Sequence, residues 1–154
     1  MSRKKCKRKI WGLKNPIEMA VLGACVSAEK PLNTLRLAEL SAIDAMTKGV
    51  GTPEDFRWIA DVLNISETMA NMGIGRDEVL PLCKQAQEAL LAAKERYDTI
   101  GRLVLTGEGI KAIKELHEYH DLQRTSVARS VYEAAILKTA NTIRSRGRDV
   151  VEVV

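Results

Sequence analysis

The sequence predicts an all-α fold, a single domain of about five helices arranged around one long helix near the C-terminus. The composition favours helix over sheet, because only 10 of the 154 residues are glycine and 4 are proline. The apolar residues recur every three or four positions, in stretches that glycine and proline separate. Hydrophobic residues make up 45% of the chain but aromatic residues only 4%, so we expect a core of aliphatic side chains.

The first third of the chain predicts a basic arm followed by two helices. Residues 1–14 are expected to be a flexible arm and residues 15–154 the helical domain. Asn15 and Pro16 are typical of a helix start, which predicts a short helix over residues 15–26. A second helix is predicted over residues 34–48, ahead of two glycines. Its apolar residues are expected to face the core: Leu35, Leu37, Leu40, Ile43 and Met46.

The clearest helix start in the sequence lies at Thr52 and Pro53. A threonine can accept hydrogen bonds from the free N–H groups of the first turn, and proline suits the first helical position. The two acidic residues that follow favour the positive end of the helix dipole. This third helix is predicted over residues 52–72. A fourth is predicted over residues 76–101, since glycines flank a long amphipathic stretch there.

Residues 107–144 are predicted to form the long helix, because they contain no proline and no glycine after Gly109. Such a helix would be about 57 Å long, enough to span a small domain, so the earlier helices are expected to pack along it. The apolar pattern lapses over residues 120–126, which include a single leucine. The alternative is therefore a break, with Thr125 capping a second segment. The strand-like residues 146–154 are expected to be an extended end that becomes ordered only by docking.

The charge is divided unevenly along the chain. Residues 1–15 hold seven of the 24 basic residues and no acidic residue, whereas the other 139 residues hold 17 basic and 20 acidic ones. A basic arm on a mildly acidic body suits contact with nucleic-acid phosphates or another acidic surface, and the alternative is a solubilising tail. The basic residues of the arm are Arg3, Lys4, Lys5, Lys7, Arg8, Lys9 and Lys14.

Several classes of function are not expected. The three cysteines are widely spaced and form no metal-binding pattern, which predicts reduced thiols in a cytoplasmic protein without metal or cofactor. The apolar run over residues 19–24 is shorter than an export signal requires. No segment approaches the length of a transmembrane helix, so a membrane partner is not expected. Without a glycine-rich phosphate loop or a GxSxG motif, no catalytic residues are predicted and an enzyme is not expected.

Residues 59–66, IADVLNIS, resemble the first half of a helix-turn-helix motif. The recognition helix that should follow is acidic at its start and contains no basic residue over residues 67–72. Such a segment would be repelled by phosphates. The sequence therefore favours one continuous amphipathic helix here.

The polar stretch within residues 117–126 is the remaining candidate site. His117 and His120 are the only histidines and share a helix face with Asp121, but no further ligands for a metal are apparent. One interpretation is a solvated face with ion pairs such as His117–Asp121. The other is a polar contact surface for a partner, or a buried polar layer where helices cross. The candidate contact residues are Tyr119, His120, Gln123 and Arg124.

Four segments of the chain resemble a group of small proteins from phages, plasmids and genomes of proteobacteria. The segments are KNPIEMA, LRLAELSAIDAMTKG, DVLNISETMANMGIG and LHEYHDLQRTSVARSVYE. Some members of that group are labelled Fis-type regulators, but this chain lacks the basic recognition helix near the C-terminus that such regulators carry. The resemblance implies a mobile-element origin and supplies no catalytic residues.

Two functions are consistent with these features. The first is a non-enzymatic phage- or plasmid-type interaction protein that binds a host protein or protein–nucleic-acid complex, for instance to inhibit a defence system. The second is a small nucleic-acid-binding regulator that uses the basic arm. An oligomer is compatible with either one.

Overall fold

The computed structural model describes residues 29–146 and Val153. These residues form five helices and one isolated antiparallel bridge between Gly51 and Leu103. The predicted all-α bundle is confirmed. The predicted arm and the short helix over residues 15–26 lie outside the described residues. The helices are α1 Glu29–Thr47, α2 Pro53–Asn71, α3 Arg76–Ile100, α4 Gly107–Ser126 and α5 Arg129–Arg146.

None of these five helices is long and apolar enough to cross a membrane.

The start of α2 is the one that Thr52 and Pro53 predict. The Thr52 hydroxyl accepts a hydrogen bond from the Asp55 backbone N–H at 3.2 Å, and the Asp55 carboxylate accepts one from the Thr52 N–H at 2.8 Å. This reciprocal pair satisfies two N–H groups that the helix leaves free. Helix α1 begins five residues before the predicted position. Pro31 is compatible with that start because a first-turn residue needs no N–H for an intrahelical bond.

Helix α2 is the centre of the bundle, since it packs against each of the other four helices. The sequence had predicted that role for the C-terminal helix. Its buried face carries Phe56, Ile59 and Leu63 into the main core and Met69 into a smaller cluster beneath α5. The main core also receives side chains from the other elements: Ala42, Ile43, Met46, Val79, Leu82, Cys83, Ala86, Leu90, Ala93, Leu103, Leu105, Ile113, Leu116 and Val153.

Residues 107–144 form two helices rather than one. Helix α4 ends at Ser126, Val127 is extended with φ −116° and ψ 159°, and α5 begins at Arg129. The break allows α5 to turn back, so that Tyr132 and Ile136 pack against Met69 of α2. A straight helix would carry these side chains away from α2. The Thr-Ser-Val sequence at the break consists of weak helix formers, so interrupting the helix there costs little free energy.

The break does not use the predicted cap. The Thr125 hydroxyl donates to the carbonyl oxygens of Asp121 and Leu122, so it closes the last turn of α4 and does not begin α5. In the tail, Val153 is buried in the main core, and the other residues after Arg146 lie outside the described residues.

The buried face of α1 differs from the predicted one. Ile43 and Met46 are buried as expected, but Leu37 and Leu40 are exposed and Glu39 takes a place in the interior. Glu39 is four residues before Ile43 and seven before Met46, so it lies on the same side of the helix as they do. The carboxylate of Glu39 takes this inner position because its hydrogen-bond partners, His117 and Arg124, lie on α4.

Candidate functional site

The inner face of α4 is polar where it crosses α1 and α2. We refer to the residues buried at this crossing as the polar layer: Glu39, Ser66, His117, His120, Gln123 and Arg124. All six are buried, and they come from three different helices. Buried polar groups are tolerated only where they are paired, so the hydrogen bonds of this layer decide how the helices can meet.

The central contact in the polar layer is a bidentate ion pair between Glu39 and Arg124. Arg124 Nη1 donates to Glu39 Oε1 at 2.9 Å, and Nη2 donates to Oε2 at 2.9 Å. The Arg124 side chain is only 1% exposed and the Glu39 side chain only 5%. His117 Nε2 lies 2.8 Å from Glu39 Oε2 and donates to it, since an ionised carboxylate can only accept. Glu39 thereby fastens α1 to two turns of α4.

The layer reaches the surface through Asp121 and Arg36. Asp121 Oδ1 accepts hydrogen bonds from Arg124 Nε at 2.8 Å and from Arg36 Nε at 2.7 Å. Both the Arg36 and Asp121 side chains are a little over one quarter exposed. The two arginines and the two acids therefore alternate along one chain of contacts, from the interior at Glu39 to the seam between α1 and α4.

The second half of the layer joins α4 to α2. The Ser66 hydroxyl donates to the Val62 carbonyl oxygen at 2.6 Å, so its remaining capacity is as an acceptor for His120 Nδ1 at 3.0 Å. This arrangement places the proton of the neutral His120 ring on Nδ1. Gln123 Nε2 donates to the carbonyl oxygens of Ser66 and Ile74. Within the described residues, His120 Nε2 and Gln123 Oε1 have no hydrogen-bond partner.

These surroundings shift the pKa values of the buried groups. Burial would raise the pKa of Glu39, but hydrogen bonds from His117 and Arg124 outweigh it and the pKa is lowered. The pKa of Asp121 is lowered for the same kind of reason, with Arg36 and Arg124 opposing the effect of burial. Burial, assisted by the Arg124 charge, lowers the pKa of His120 to about 3. The layer therefore holds ionised acids beside a neutral histidine at pH 7.

The structure brings three of the four predicted contact residues into this layer. His120, Gln123 and Arg124 form the buried layer, not an exposed contact surface, and Tyr119 is half-buried against the main core. The predicted pair of His117 with Asp121 is replaced by separate partners, Glu39 for the histidine and two arginines for the aspartate. Among the described residues, no group of three His, Cys, Asp or Glu side chains is placed to hold a metal ion.

Residues 59–66 do not form the first half of a helix-turn-helix. These residues lie inside α2, which continues without a turn to Asn71. They therefore belong to one amphipathic helix, which is the interpretation that the sequence favours.

Three residues of the site were not predicted: Arg36, Glu39 and Ser66. Glu39 carried a usable signal, because it occupies a core position in the helical spacing of α1. Ser66 carried a weaker one, as a small polar residue in the apolar stripe of α2. No feature of the sequence indicated Arg36, since an arginine on an exposed helix face is common.

Three leucines of α1 and α4 are exposed. Leu37 is 68% exposed, Leu40 is 47% exposed and Leu122 is 63% exposed. Leu37 and Leu40 belong to α1 and Leu122 belongs to α4, the two helices that the partly exposed Arg36–Asp121 ion pair joins. We call this area the seam surface: Arg36, Leu37, Leu40, Asp121 and Leu122. A second exposed apolar pair, Val50 and Ile100, flanks the loops that hold the Gly51–Leu103 bridge.

Comparisons of the chain with protein-family models, curated proteins and solved structures found no match.

Proposed function

We propose that this chain is a non-enzymatic interaction protein and that the seam surface is where it contacts a protein partner. The observation that carries the proposal is the exposure of three leucines on the two helices that the buried Glu39–Arg124 salt bridge and the Arg36–Asp121 ion pair hold together. Single exposed leucines are common on protein surfaces, but three of them on two helices joined by an ion pair have the composition of a contact site.

The energies are consistent with that role. Burying one leucine side chain contributes about 1.5–3 kcal/mol, so covering three of them supplies a large share of a micromolar affinity. Since Arg36 and Asp121 are already fixed by Arg124 and Asn33, little side-chain entropy remains to be lost on binding. The buried layer thus supports a preorganised surface.

The partner class follows from the resemblance to phage- and plasmid-borne proteins. A small helical protein of mobile-element origin with a contact surface fits a factor that binds a host protein or protein–nucleic-acid complex. Inhibition of a host defence system is the activity we propose for such binding.

The second candidate is a nucleic-acid-binding regulator that uses the arm. It is favoured by the seven basic residues of residues 1–15, and Arg144 and Arg146 add exposed positive charge at the end of α5. Binding of this kind depends on phosphate contacts and therefore falls steeply with salt.

Two measurements separate the candidates. Fluorescence anisotropy of a labelled DNA duplex is recorded with the full chain and with residues 15–154, at low and moderate salt. The interaction protein gives no salt-sensitive binding that depends on the arm. Co-purification from host cells then compares the tagged chain with a Leu37→Ser/Leu122→Ser variant and with a Val50→Ser/Ile100→Ser control. We expect the host partner to remain with the control and to be lost from the seam variant.

The proposal fails if the host partner remains with the seam variant at the same yield. Duplex binding that weakens with salt and disappears without residues 1–14 would instead establish the regulator.

A further inference from the structure

The junction between α4 and α5 is short and contains no residue that forbids helix. Val127 and Ala128 alone separate the two helices, and residues 110–146 include neither proline nor glycine. The start of α5 is also weakly stabilised. The alanine side chain cannot cap it, and the first turn, residues 129–132, has no acidic residue and places Arg129 at the positive end of the helix dipole.

Helix α5 is held to the bundle mainly by α2. Tyr132 and Ile136 pack against Met69, and the hydroxyl oxygens of Thr68 and Thr139 lie 2.7 Å apart, within hydrogen-bonding distance. On its other side, a groove of about 380 Å³ lies between α5, α2 and α3. One interface therefore decides where α5 packs.

The two sides of that interface cannot both be left in water. Met69 is completely buried, and Tyr132 and Ile136 are 6% and 3% exposed, so separating α5 from α2 would expose apolar surface on both helices. The closed chain itself shows which surface fits each side. The α2 side fits an α5, and the α5 side fits an α2, whether the helix comes from the same copy or from another one.

We propose that α4 and α5 can join into one straight helix across Val127 and Ala128, and that α5 then packs against α2 of a second copy, which returns its own α5. Every contact between α5 and α2 is kept, now between copies. The weak helix start at the junction is replaced by continuous helical hydrogen bonds. Since joining two chains costs entropy, the exchanged dimer is favoured at high protein concentration. The exchange goes beyond the proposed function and uses no residue of the seam surface.

Two chains with one cysteine each test the exchange directly. Both carry Cys6→Ser, Cys25→Ser and Cys83→Ala, one chain adds Thr68→Cys, and the other adds Thr139→Cys. Equal amounts are unfolded in urea, mixed, refolded at about 500 µM and oxidised. In the exchanged dimer the two thiols replace hydroxyls that are 2.7 Å apart, so we expect a disulfide-linked species of twice 17.0 kDa. Either chain alone should give at least tenfold less of it.

Arg129→Pro tests whether the exchange requires a straight helix. Proline suits the first position of α5 in the closed chain, but inside a continuous helix it removes a hydrogen bond and clashes with the preceding turn. In sedimentation velocity after refolding at high concentration, we expect the dimerisation constant of the unaltered chain to fall by about a hundredfold or more in this variant. The control, Arg129→Ala, loses the same ion pair with Glu133 but keeps the backbone N–H, and should dimerise at least as well as the unaltered chain.

Three outcomes would overturn the exchange. The first is a mass of 17.0 kDa for the unaltered chain after refolding at high concentration. The second is a dimer in which the mixed cysteine chains form no more disulfide than either chain alone, since the copies would then meet through another surface. The third is a dimer that Arg129→Pro leaves intact. If circular dichroism shows that the proline variant does not fold, the disulfide measurement decides, because it contains no proline.

The Leu37→Ser/Leu122→Ser variant separates this inference from the proposed function. It should exchange α5 like the unaltered chain while losing the host partner. A variant that keeps the host partner but still dimerises would refute the proposed function alone. A variant that loses the host partner, in a chain that is monomeric under all conditions, would refute the exchange alone.

Discussion

Arg124 places its two terminal nitrogens 2.9 Å from the two carboxylate oxygens of Glu39, a residue 85 positions earlier in the chain. The contact fixes both the angle and the register of α4 against α1, because a guanidinium and a carboxylate match in this way in a single plane. It also explains why Leu37 and Leu40 face solvent. Once Glu39 must point inward, these two leucines are rotated to the outer side of α1.

Glu39→Gln should destabilise the protein by about 3 kcal/mol or more. The glutamine keeps the size of the side chain but removes the charge, which leaves the buried Arg124 with only Asp121, a carboxylate that it shares with Arg36, as a counter-ion. Urea unfolding followed by circular dichroism at pH 7 measures the change. The control is Asp44→Asn, which breaks the exposed Asp44–Lys48 pair and should cost less than about 0.5 kcal/mol. Equal effects from the two variants would mean that the buried pair contributes no more than a surface one.

The contribution of His120 to stability should fall as the pH is lowered from about 6.5 toward 3, whereas Asp61, whose pKa is raised to about 6 by burial, opposes this loss below pH 6. His120 has its pKa lowered to about 3 by burial, whereas its unfolded value is 6.5. Between these values the unfolded chain binds a proton that the folded chain does not, so each pH unit removes up to about 1.4 kcal/mol. Urea unfolding at pH 6.5, 5.8 and 5.0 measures this slope above the range in which Glu39 and Asp121 titrate.

The control for this slope is His120→Gln, which removes the titrating ring. Between pH 6.5 and 5.0 the unaltered chain should lose more stability than this variant, by up to about 1.4 kcal/mol per pH unit, whatever the variant's stability at pH 7. If the two slopes are the same, the ring is protonated in the folded protein and our assignment of a neutral His120 is incorrect. Below about pH 4.5, the lowered pKa values of Glu39 and Asp121 add a further loss in both proteins, because their stabilising charges disappear as the pH falls.

Two glycines should respond to alanine in opposite directions. A Cβ on Gly51 would lie 2.5 Å from Met46 Sδ and 3.1 Å from the Leu103 carbonyl oxygen. Since Met46 is completely buried, Gly51→Ala should cost about 1–3 kcal/mol. A Cβ on Gly107 would have no atom within 4 Å, and Gly107→Ala should stabilise α4 by up to about 1 kcal/mol. Thermal unfolding monitored by circular dichroism distinguishes a decrease from an increase in Tm.

Helix α5 should gain stability from a cap at Ala128. The Ala128 carbonyl oxygen accepts the first hydrogen bonds of α5, from the Val131 and Tyr132 N–H groups, but an alanine side chain accepts none. Ala128→Ser supplies the missing acceptor and should stabilise the protein by about 0.5–1 kcal/mol. Ser130→Ala, just inside the same helix, provides a comparison without a cap. An unchanged free energy of unfolding for Ala128→Ser would show that α5 frays before the rest unfolds.

The elements that local sequence controls were predicted well. The start of α2 depends on Thr52 and Pro53, and the ends of α3 lie at Gly75 and Gly101, where the backbone is left-handed. The break at Val127 was offered only as an alternative, because no proline or glycine marks it. It exists because Tyr132 and Ile136 gain a place against Met69, a contact between distant segments that periodicity does not reveal.

The site was only half visible in the sequence. The gap in the apolar pattern of α4 indicated His120, Gln123 and Arg124, since consecutive polar residues on an inner face require partners. Their partners on α1 and α2 lie more than 50 residues away, at Glu39 and Ser66. Which carboxylate meets Arg124 depends on how the helices cross, and helix crossing is determined by the packing of the whole bundle.

The separation of 85 positions between Glu39 and Arg124 has a consequence for synthesis on the ribosome. At about 5–20 residues per second, some 4–17 s pass between the translation of these two residues. Throughout that interval α1 has no counter-ion for its inward carboxylate and cannot take its final position. We therefore expect the bundle to close only after α4 has been made, so that α1 stays accessible to chaperones and proteases until then.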